Sequence, residues 1–362
     1  MKQWPAWLPL RQNLQELSPY GAPQLPADAV MNTNENPYAP SQKLAQAISD
    51  RVADVALTLN RYPDRDAVAL RTKLADFING LSGTDIAVEN IWAANGSNEI
   101  IQSLFMAFGG GVALGFTPSY SMHPLIAKVT QVKWVNGNRR EDFSLDIDSA
   151  IAQIQRDKLT LTFITTPNNP TGSAVTIDEI EKIAKATSGL LVVDEAYAEF
   201  SNEVSAVTLI KKYPHVVVIR TMSKAFAFAG VRLGYLVADP AVVDAMFLVR
   251  LPYHLSALTQ AAAEVALDFK SELLGTVEQL RKDRDHVASQ LTDMGLKVIP
   301  SASNFLLFSG FDMPSSQLWQ AMLDKGVLIR DVGLLGYLRV TIGNEAENNK
   351  FISSLSACLG EK

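Results

Sequence analysis

Apolar positions recur along this chain in two rhythms. In Asp66–Asn79, the residues Ala67, Leu70, Leu74, Phe77 and Ile78 fall three or four apart, which predicts a helix stopped by Gly80. Ser97–Phe108 repeats that spacing through Ile100, Ile101, Leu104, Phe105 and Phe108. Short unbroken apolar runs alternate with such segments. Val112–Phe116, Leu161–Thr166, Leu190–Asp194 and Val216–Arg220 predict buried strands. Thr176-Ile-Asp-Glu179 is a capping box that opens a helix between two of them. This alternation predicts an α/β fold, with a mostly parallel sheet covered by helices on both faces. Ligands in such sheets bind beyond the carboxyl ends of the strands. A long helical stretch, Ser256–Leu291, leads to a tail of strands (Phe305–Phe308, Val327–Arg330, Leu338–Ile342) and helices (Ser315–Asp324, Ala346–Ser356). The tail predicts a second, smaller α+β domain. The first segment, to about Met31, is rich in Pro and Trp and has weak periodicity, so it reads as an arm packed on something else.

Composition narrows the classes. A chain of 362 residues, 48% hydrophobic, carries enough apolar mass for about two domains. Its 32 basic and 38 acidic residues are well mixed, with no basic face, so no nucleic-acid partner is expected. The lone Cys358 forms no internal disulfide, and no His lies near it to make it a nucleophile. The four histidines lack metal-ligand spacing, so no metal is expected. The apolar run Met106–Phe116 is short and broken by glycine, and no other run reaches bilayer length. The N-terminal MKQWPAWLPLRQNL lacks a secretory apolar core, so the expected location is cytoplasmic.

Four segments carry candidate chemistry, three of them at predicted strand ends and the fourth at the opening of a helix. Lys224, in Arg220-Thr-Met-Ser-Lys224, follows a buried strand beside Ser223 and is trailed by Gly230 and Arg232. Burial lowers an amine's pKa toward the free base that condenses with an aldehyde, and Ser and Arg hold phosphate. Alone, such a Lys is an ordinary solvated turn residue. Asp194 ends an apolar strand, a costly place for a carboxylate without a cationic partner, and Tyr197 follows three residues on. Alone, it reads as a helix cap. Thr165-Thr-Pro-Asn168-Asn-Pro-Thr-Gly172 makes a rigid turn able to aim Asn169. Asn95-Gly96-Ser97-Asn98 opens a helix whose N–H groups suit an anion. Tyr120 follows the next strand and offers a ring for stacking. His123, His254, Trp134 and Trp319 read as packing residues.

Together, TTPNNPTG, VVDEAY and TMSKAFAFAGVRLGY resemble the fold-type I, pyridoxal-5′-phosphate-dependent aminotransferases of class II, over nearly the whole chain and in order. Further segments are similar to the branch of that family acting on histidinol phosphate: Leu17-Ser-Pro-Tyr20, Asn32-Thr-Asn-Glu-Asn-Pro-Tyr38, Asn60-Arg-Tyr-Pro-Asp64, Pro252-Tyr-His-Leu-Ser256 and Gly326-Val-Leu-Ile-Arg330. The resemblance implies an arm (1–33), a large cofactor domain (34–265) built on a seven-stranded sheet, and a small C-terminal domain (266–362). It implies that Lys224 forms the Schiff base with pyridoxal 5′-phosphate and that Asp194 pairs with the ring nitrogen. Asn169 and Tyr197 would contact the ring oxygen, and Tyr120 would stack on the ring. Gly96, Ser97, Asn98, Ser223 and Arg232 would hold the phosphate. Tyr62 would reach it from the partner subunit of a homodimer. Arg330, Arg339 and Asn36 would bind substrate, with Tyr20 closing over it. The implied reaction passes the amino group of L-histidinol phosphate to 2-oxoglutarate, giving imidazole-acetol phosphate and L-glutamate. Two departures stand out: Asn98 replaces an Asp common in relatives, and the loop between Arg330 and Arg339 is short. The sequence leaves open an aromatic amino acid aminotransferase, a phosphothreonine decarboxylase relative, or a non-catalytic regulator on this scaffold.

Overall fold

The computed structural model describes residues 4–360. Its strands in chain order are β1 (Ala29–Val30), β2 (Ile91–Ala94), β3 (Val112–Thr117), β4 (Lys133–Asn138), β5 (Leu161–Thr165), β6 (Leu190–Asp194), β7 (Val216–Thr221) and β8 (Gly234–Val237), followed by β9 (Lys297–Val298), β10 (Phe305–Ser309), β11 (Val327–Leu328) and β12 (Tyr337–Thr341). Seven form one sheet in the order β2-β8-β7-β6-β5-β3-β4. β8 runs antiparallel to both neighbours, and the other adjacent pairs are parallel. The expected α/β fold with a mostly parallel, helix-covered sheet is what the chain adopts. β2 and β8 carry no distinct sequence signal, because each is short and bordered by glycine.

Both sheet faces are apolar because both are covered. Leu191 and Val193 belong to one buried core and Val192 to the other, the two-residue period of a strand. Helices Ser97–Phe108, Met122–Thr130 and Pro240–Val249 cover the side of Val192. The other core continues from the sheet to β10, β12 and helix Glu345–Leu359. The small sheet has the order β12-β10-β9, and β1 pairs with β11. That last pairing pins the chain just before Met31 and delivers residues 32–35 to the strand ends.

Two expected helix limits shift. The helix predicted to stop at Gly80 runs Val68–Ser82. A Cβ at Gly80 would meet nothing within 4 Å, whereas Gly83 takes the left-handed φ of 64° that ends a helix. The stretch Ser256–Leu291 is two helices, Ala257–Asp268 and Lys270–Asp293, broken at Phe269.

Behind the strand ends lies a buried ionic group. Arg220 Nε donates to Glu195 Oε2 at 2.8 Å and Nη1 to Glu199 Oε1 at 2.9 Å, with all three side chains 3–4% exposed. Glu195 also accepts from Ser205 Oγ and Ala206 N. Burial pushes the Glu199 carboxyl above its usual range, against the pull of Arg220. Removing the only cation in this group leaves two buried carboxylates unpaired. Arg220→Met is therefore expected to cost roughly 3–5 kcal/mol in urea unfolding. A carboxyl whose folded pKa is raised loses stability as pH climbs, so the loss should be larger at pH 8 than at pH 5.

Candidate active site

Parallel pairing aligns three strand ends. Thr165 of β5 lies beside Asp194 of β6, and Asp194 beside Ile219 of β7. The loops that follow carry Asn169, Tyr197 and Lys224 into a cavity of about 500 Å³. Ser97, Asn98, Tyr120, Ser223, Arg232, Arg330, Arg339 and Tyr20 also line it.

One end of the cavity suits an anion. Gly96 precedes helix Ser97–Phe108 at φ 83°, and a Cβ there would come within 2.8 Å of Arg232 Nη2. The guanidinium thus lies over the first turn, where N–H groups have no carbonyl a turn earlier to bond. Arg232 Nη1 donates to Ala229 O at 3.0 Å and reaches Ser223 Oγ at 3.4 Å. The Asn98 side-chain Oδ1 accepts from the Tyr120 hydroxyl at 3.1 Å. Burial raises the Tyr120 phenol, so it stays protonated and a donor.

The floor holds the carboxylate. Asp194 is 2% exposed and accepts from Ala196 N at 3.2 Å through Oδ1. Its Oδ2 lies 3.0 Å from His123 Nε2. His123, read from sequence as packing, is therefore a polar partner of the central carboxylate. Its ring also meets Tyr120 edge-on at 5.4 Å and Phe163 at 4.9 Å. The available signal was its place three residues after Tyr120, one helical turn away, on the inward face of helix Met122–Thr130.

The far wall joins distant segments. Tyr197 OH accepts from Asn34 Nδ2 at 2.9 Å and Asn169 Nδ2 at 3.4 Å. Two amides on its lone pairs leave its proton free to point into the cavity, and burial raises this phenol too. Asn34 is fixed by Thr341 of β12, and it and Asn32, not Asn36, are the asparagines of the motif that line the cavity. Asn36, expected to bind substrate, stands elsewhere. Its amide turns to Ala225 O and Thr276 Oγ1, outside the cavity lining. The physical reason is the αL kink at Asn34 (φ 56°), after which the chain turns toward helix Lys270–Asp293. Asn168 likewise spends its amide on Pro118 O, in the loop after β3, and on Thr171 Oγ1 of its own loop.

Arg339 donates from Nη1 to Asn169 Oδ1 at 2.6 Å and from Nη2 to Asn32 O at 2.8 Å. It pairs through the backbone with Arg330. Its buried Nε has no partner among the described residues, and burial lowers its pKa to about 10. Tyr20 stands half exposed at the mouth. Tyr62 lies outside this chain's cavity, 78% exposed and stacked on Tyr253 with ring centroids 4.4 Å apart.

Lys224 Nζ donates to Thr33 O at 3.0 Å. Enclosure, reinforced by the positive charge of Arg339, lowers its pKa to about 8. Among the described residues, no cluster of His, Cys, Asp and Glu could hold a metal ion, and no helix is long and apolar enough to cross a membrane. Competitive acylation of the cofactor-free protein across pH should label Lys224 with a midpoint near 8, against ~10.4 for surface lysines. Arg339→Gln should move that midpoint upward. A Lys224 midpoint equal to the bulk would contradict the enclosure.

The sequence profile described as aminotransferase class I and II matches residues 29–355. The histidinol-phosphate aminotransferase of Mycolicibacterium smegmatis is 55% identical over 352 residues, covering 96% of this chain and 92% of that protein. That of Mycobacterium marinum is 54% identical over 349 residues, covering 95% and 91%. In three dimensions, the crystal structure of the Sinorhizobium meliloti histidinol-phosphate aminotransferase in complex with pyridoxal-5′-phosphate superposes with a TM-score of 0.86, at 24% identity and 98% coverage of both chains. With nearly its full length matched and a lysine, a carboxylate and an anion cradle converging in one cavity, this chain belongs to the class I and II aminotransferase family.

Proposed function

We propose that this enzyme transfers the amino group of L-histidinol phosphate to 2-oxoglutarate, yielding imidazole-acetol phosphate and L-glutamate, with pyridoxal 5′-phosphate as cofactor. The observation that carries the reading is the arrangement of one cavity: an anion cradle at one end, Asp194 and Lys224 centrally, and two arginines at the other end. The cofactor fits this donor set. Its phosphate matches Gly96–Asn98, Ser223 and Arg232, its ring nitrogen matches Asp194, its ring oxygen matches Asn169 and Tyr197, and its aldehyde matches Lys224. Bound there, it supplies an electron sink that acidifies the amino substrate's Cα–H.

The chain's own groups do the rest. Asp194, buried and bonded by Ala196 N and His123, stands where a ring N–H would donate to it. Tyr197 offers its proton to an oxygen in the cavity. Lys224, held well below the ordinary lysine range by its enclosure, would take the proton from substrate Cα and deliver it to the cofactor's aldehyde-derived carbon. Arg330 and Arg339 present guanidinium forks to the substrate phosphate, or to the carboxylates of 2-oxoglutarate. Tyr20 at the mouth excludes water when it closes.

The 53–55% identity to relatives bearing the histidinol-phosphate name favours this substrate over an aromatic amino acid. Stopped-flow half-reactions test it. L-histidinol phosphate should convert the cofactor to its aminated form with a rate over concentration roughly 100-fold or more above phenylalanine. A preference for phenylalanine would make this an aromatic aminotransferase.

We also propose a homodimer in which Tyr62 serves the partner's cavity. Leu57, Leu248 and Leu251 are 75–85% exposed, near the linked Tyr62–Asp66 and Arg250–Tyr253 segments, which suits an apolar interface. Leu248→Glu with Leu251→Glu should yield monomers by light scattering and lose most activity.

A further inference from the structure

The anion cradle hangs from an unusual support. It follows β2, and β2 is an edge strand of the sheet, with no strand on its outer side among the described residues. An edge strand presents an unpaired carbonyl at every second residue. On β2 these are Ile91 and Ala93, and two side chains satisfy them. Arg71 Nε donates to Ile91 O at 2.6 Å, and His254 Nε2 lies 2.9 Å from Ala93 O. A carbonyl only accepts, so Nε2 carries the imidazole proton.

His254 holds this strand end at three points. Its ring stacks on Trp92, with centroids 5.6 Å apart and planes at 19°. Its Nε2 holds Ala93. Its backbone carbonyl accepts from Asn95 Nδ2 at 2.9 Å, and that same amide binds Glu99 Oε2 at 2.8 Å in the first turn of the cradle helix. The residues gripped, 92, 93 and 95, lead directly into Gly96, whose backbone lies against Arg232. The segment bearing His254 is itself anchored. Arg250 donates to Arg65 O at 2.8 Å and pairs with Asp66, while Gln260 Nε2 bonds Leu255 O and Asp64 O, both at 3.0 Å. Tyr253, one residue before, is held at φ 56°, a left-handed conformation rare for a bulky side chain. Tertiary contacts therefore impose the position of this segment.

We infer that His254 is a positioning residue for phosphate binding: by capping the edge carbonyl of Ala93 and holding Asn95, it sets the Gly96–Asn98 backbone at the spacing an anion requires. It touches neither cofactor nor substrate. The inference rests on the proposed role of the cradle as the cofactor's phosphate site.

The test compares pyridoxal 5′-phosphate with pyridoxal, which lacks only the phosphate. Binding of each to cofactor-free wild type, His254→Ala and His254→Gln is titrated by absorbance and fluorescence quenching, with ³¹P resonances of the bound phosphate recorded. His254→Ala should weaken pyridoxal 5′-phosphate roughly ten-fold, the scale of one or two lost hydrogen bonds, and shift the ³¹P resonance. Pyridoxal affinity should stay within about two-fold, a change of under half a kcal/mol. His254→Gln, which keeps an N–H donor, should recover most of the loss. Should His254→Ala fail to fold, Asn95→Ala, which cuts the second tie, carries the same expectation. Equal weakening of both aldehydes, unchanged pyridoxal 5′-phosphate affinity, or no recovery in His254→Gln would overturn the inference. Failure of wild type to favour pyridoxal 5′-phosphate over pyridoxal would instead overturn the cradle's proposed role.

Discussion

The parallel register of β5, β6 and β7 is the constraint on which the site depends. Thr165 and Asp194 end β5 and β6 side by side, and Ile219, two residues before the end of β7, stands beside Asp194. Neighbouring strands are about 4.8 Å apart, so three of them span roughly 10 Å, the scale of one substituted aromatic ring. A slip of one residue would send Asp194 to the opposite face and replace it with an apolar neighbour. The apolar content of both sheet faces makes such a slip costly. Register is thus held by hydrophobic burial, while the chemistry hangs from loops that leave the sheet at fixed points. The Arg220–Glu195–Glu199 group adds a polar lock between β6 and β7 beside those exits.

Electrostatics then sets the character of the cavity. Lys224, Arg232, Arg330 and Arg339 line it, and Asp194 is the carboxylate buried in its floor. Crowded cations disfavour one another's charge, and Lys224 and Arg339 are both held below their ordinary pKa values, enclosure first and neighbouring cations second. An anionic ligand relieves that repulsion. The same field that lowers the Lys224 pKa therefore favours ligands that carry phosphate or carboxylate.

The wall facing the sheet comes from elsewhere in the chain. β1 pairs with β11, and that pairing carries Asn32, Thr33, Asn34 and Glu35 across the strand ends. Thr341 of β12 fixes Asn34, which holds Tyr197, and Arg339 bonds Asn169. The small sheet thus reaches the cavity lining through Asn34 and Asn169. Movement of that sheet would be felt at Tyr197 and Asn169 before it reached Asp194, which is anchored within the large sheet.

Much of this was legible in the sequence. The runs Leu161–Thr166, Leu190–Asp194 and Val216–Arg220 declared buried strands, and ligands bind beyond such strand ends, so local pattern made Asn169, Asp194, Tyr197 and Lys224 candidates, while only the segments taken together raised them above ordinary turn and cap residues. The capping box at Thr176–Glu179 and the helix at Ser97–Phe108 were equally local. Tertiary structure decided the partners. His123 on Asp194, His254 on Ala93, Asn34 in place of Asn36, and Tyr62 turned away from its own cavity each depend on segments between 71 and 307 residues apart, or on a backbone kink that no periodicity announces. Strand position follows from short-range burial, which sequence encodes residue by residue. The choice of which polar group meets which follows from how whole elements cross, and only the assembled packing fixes that.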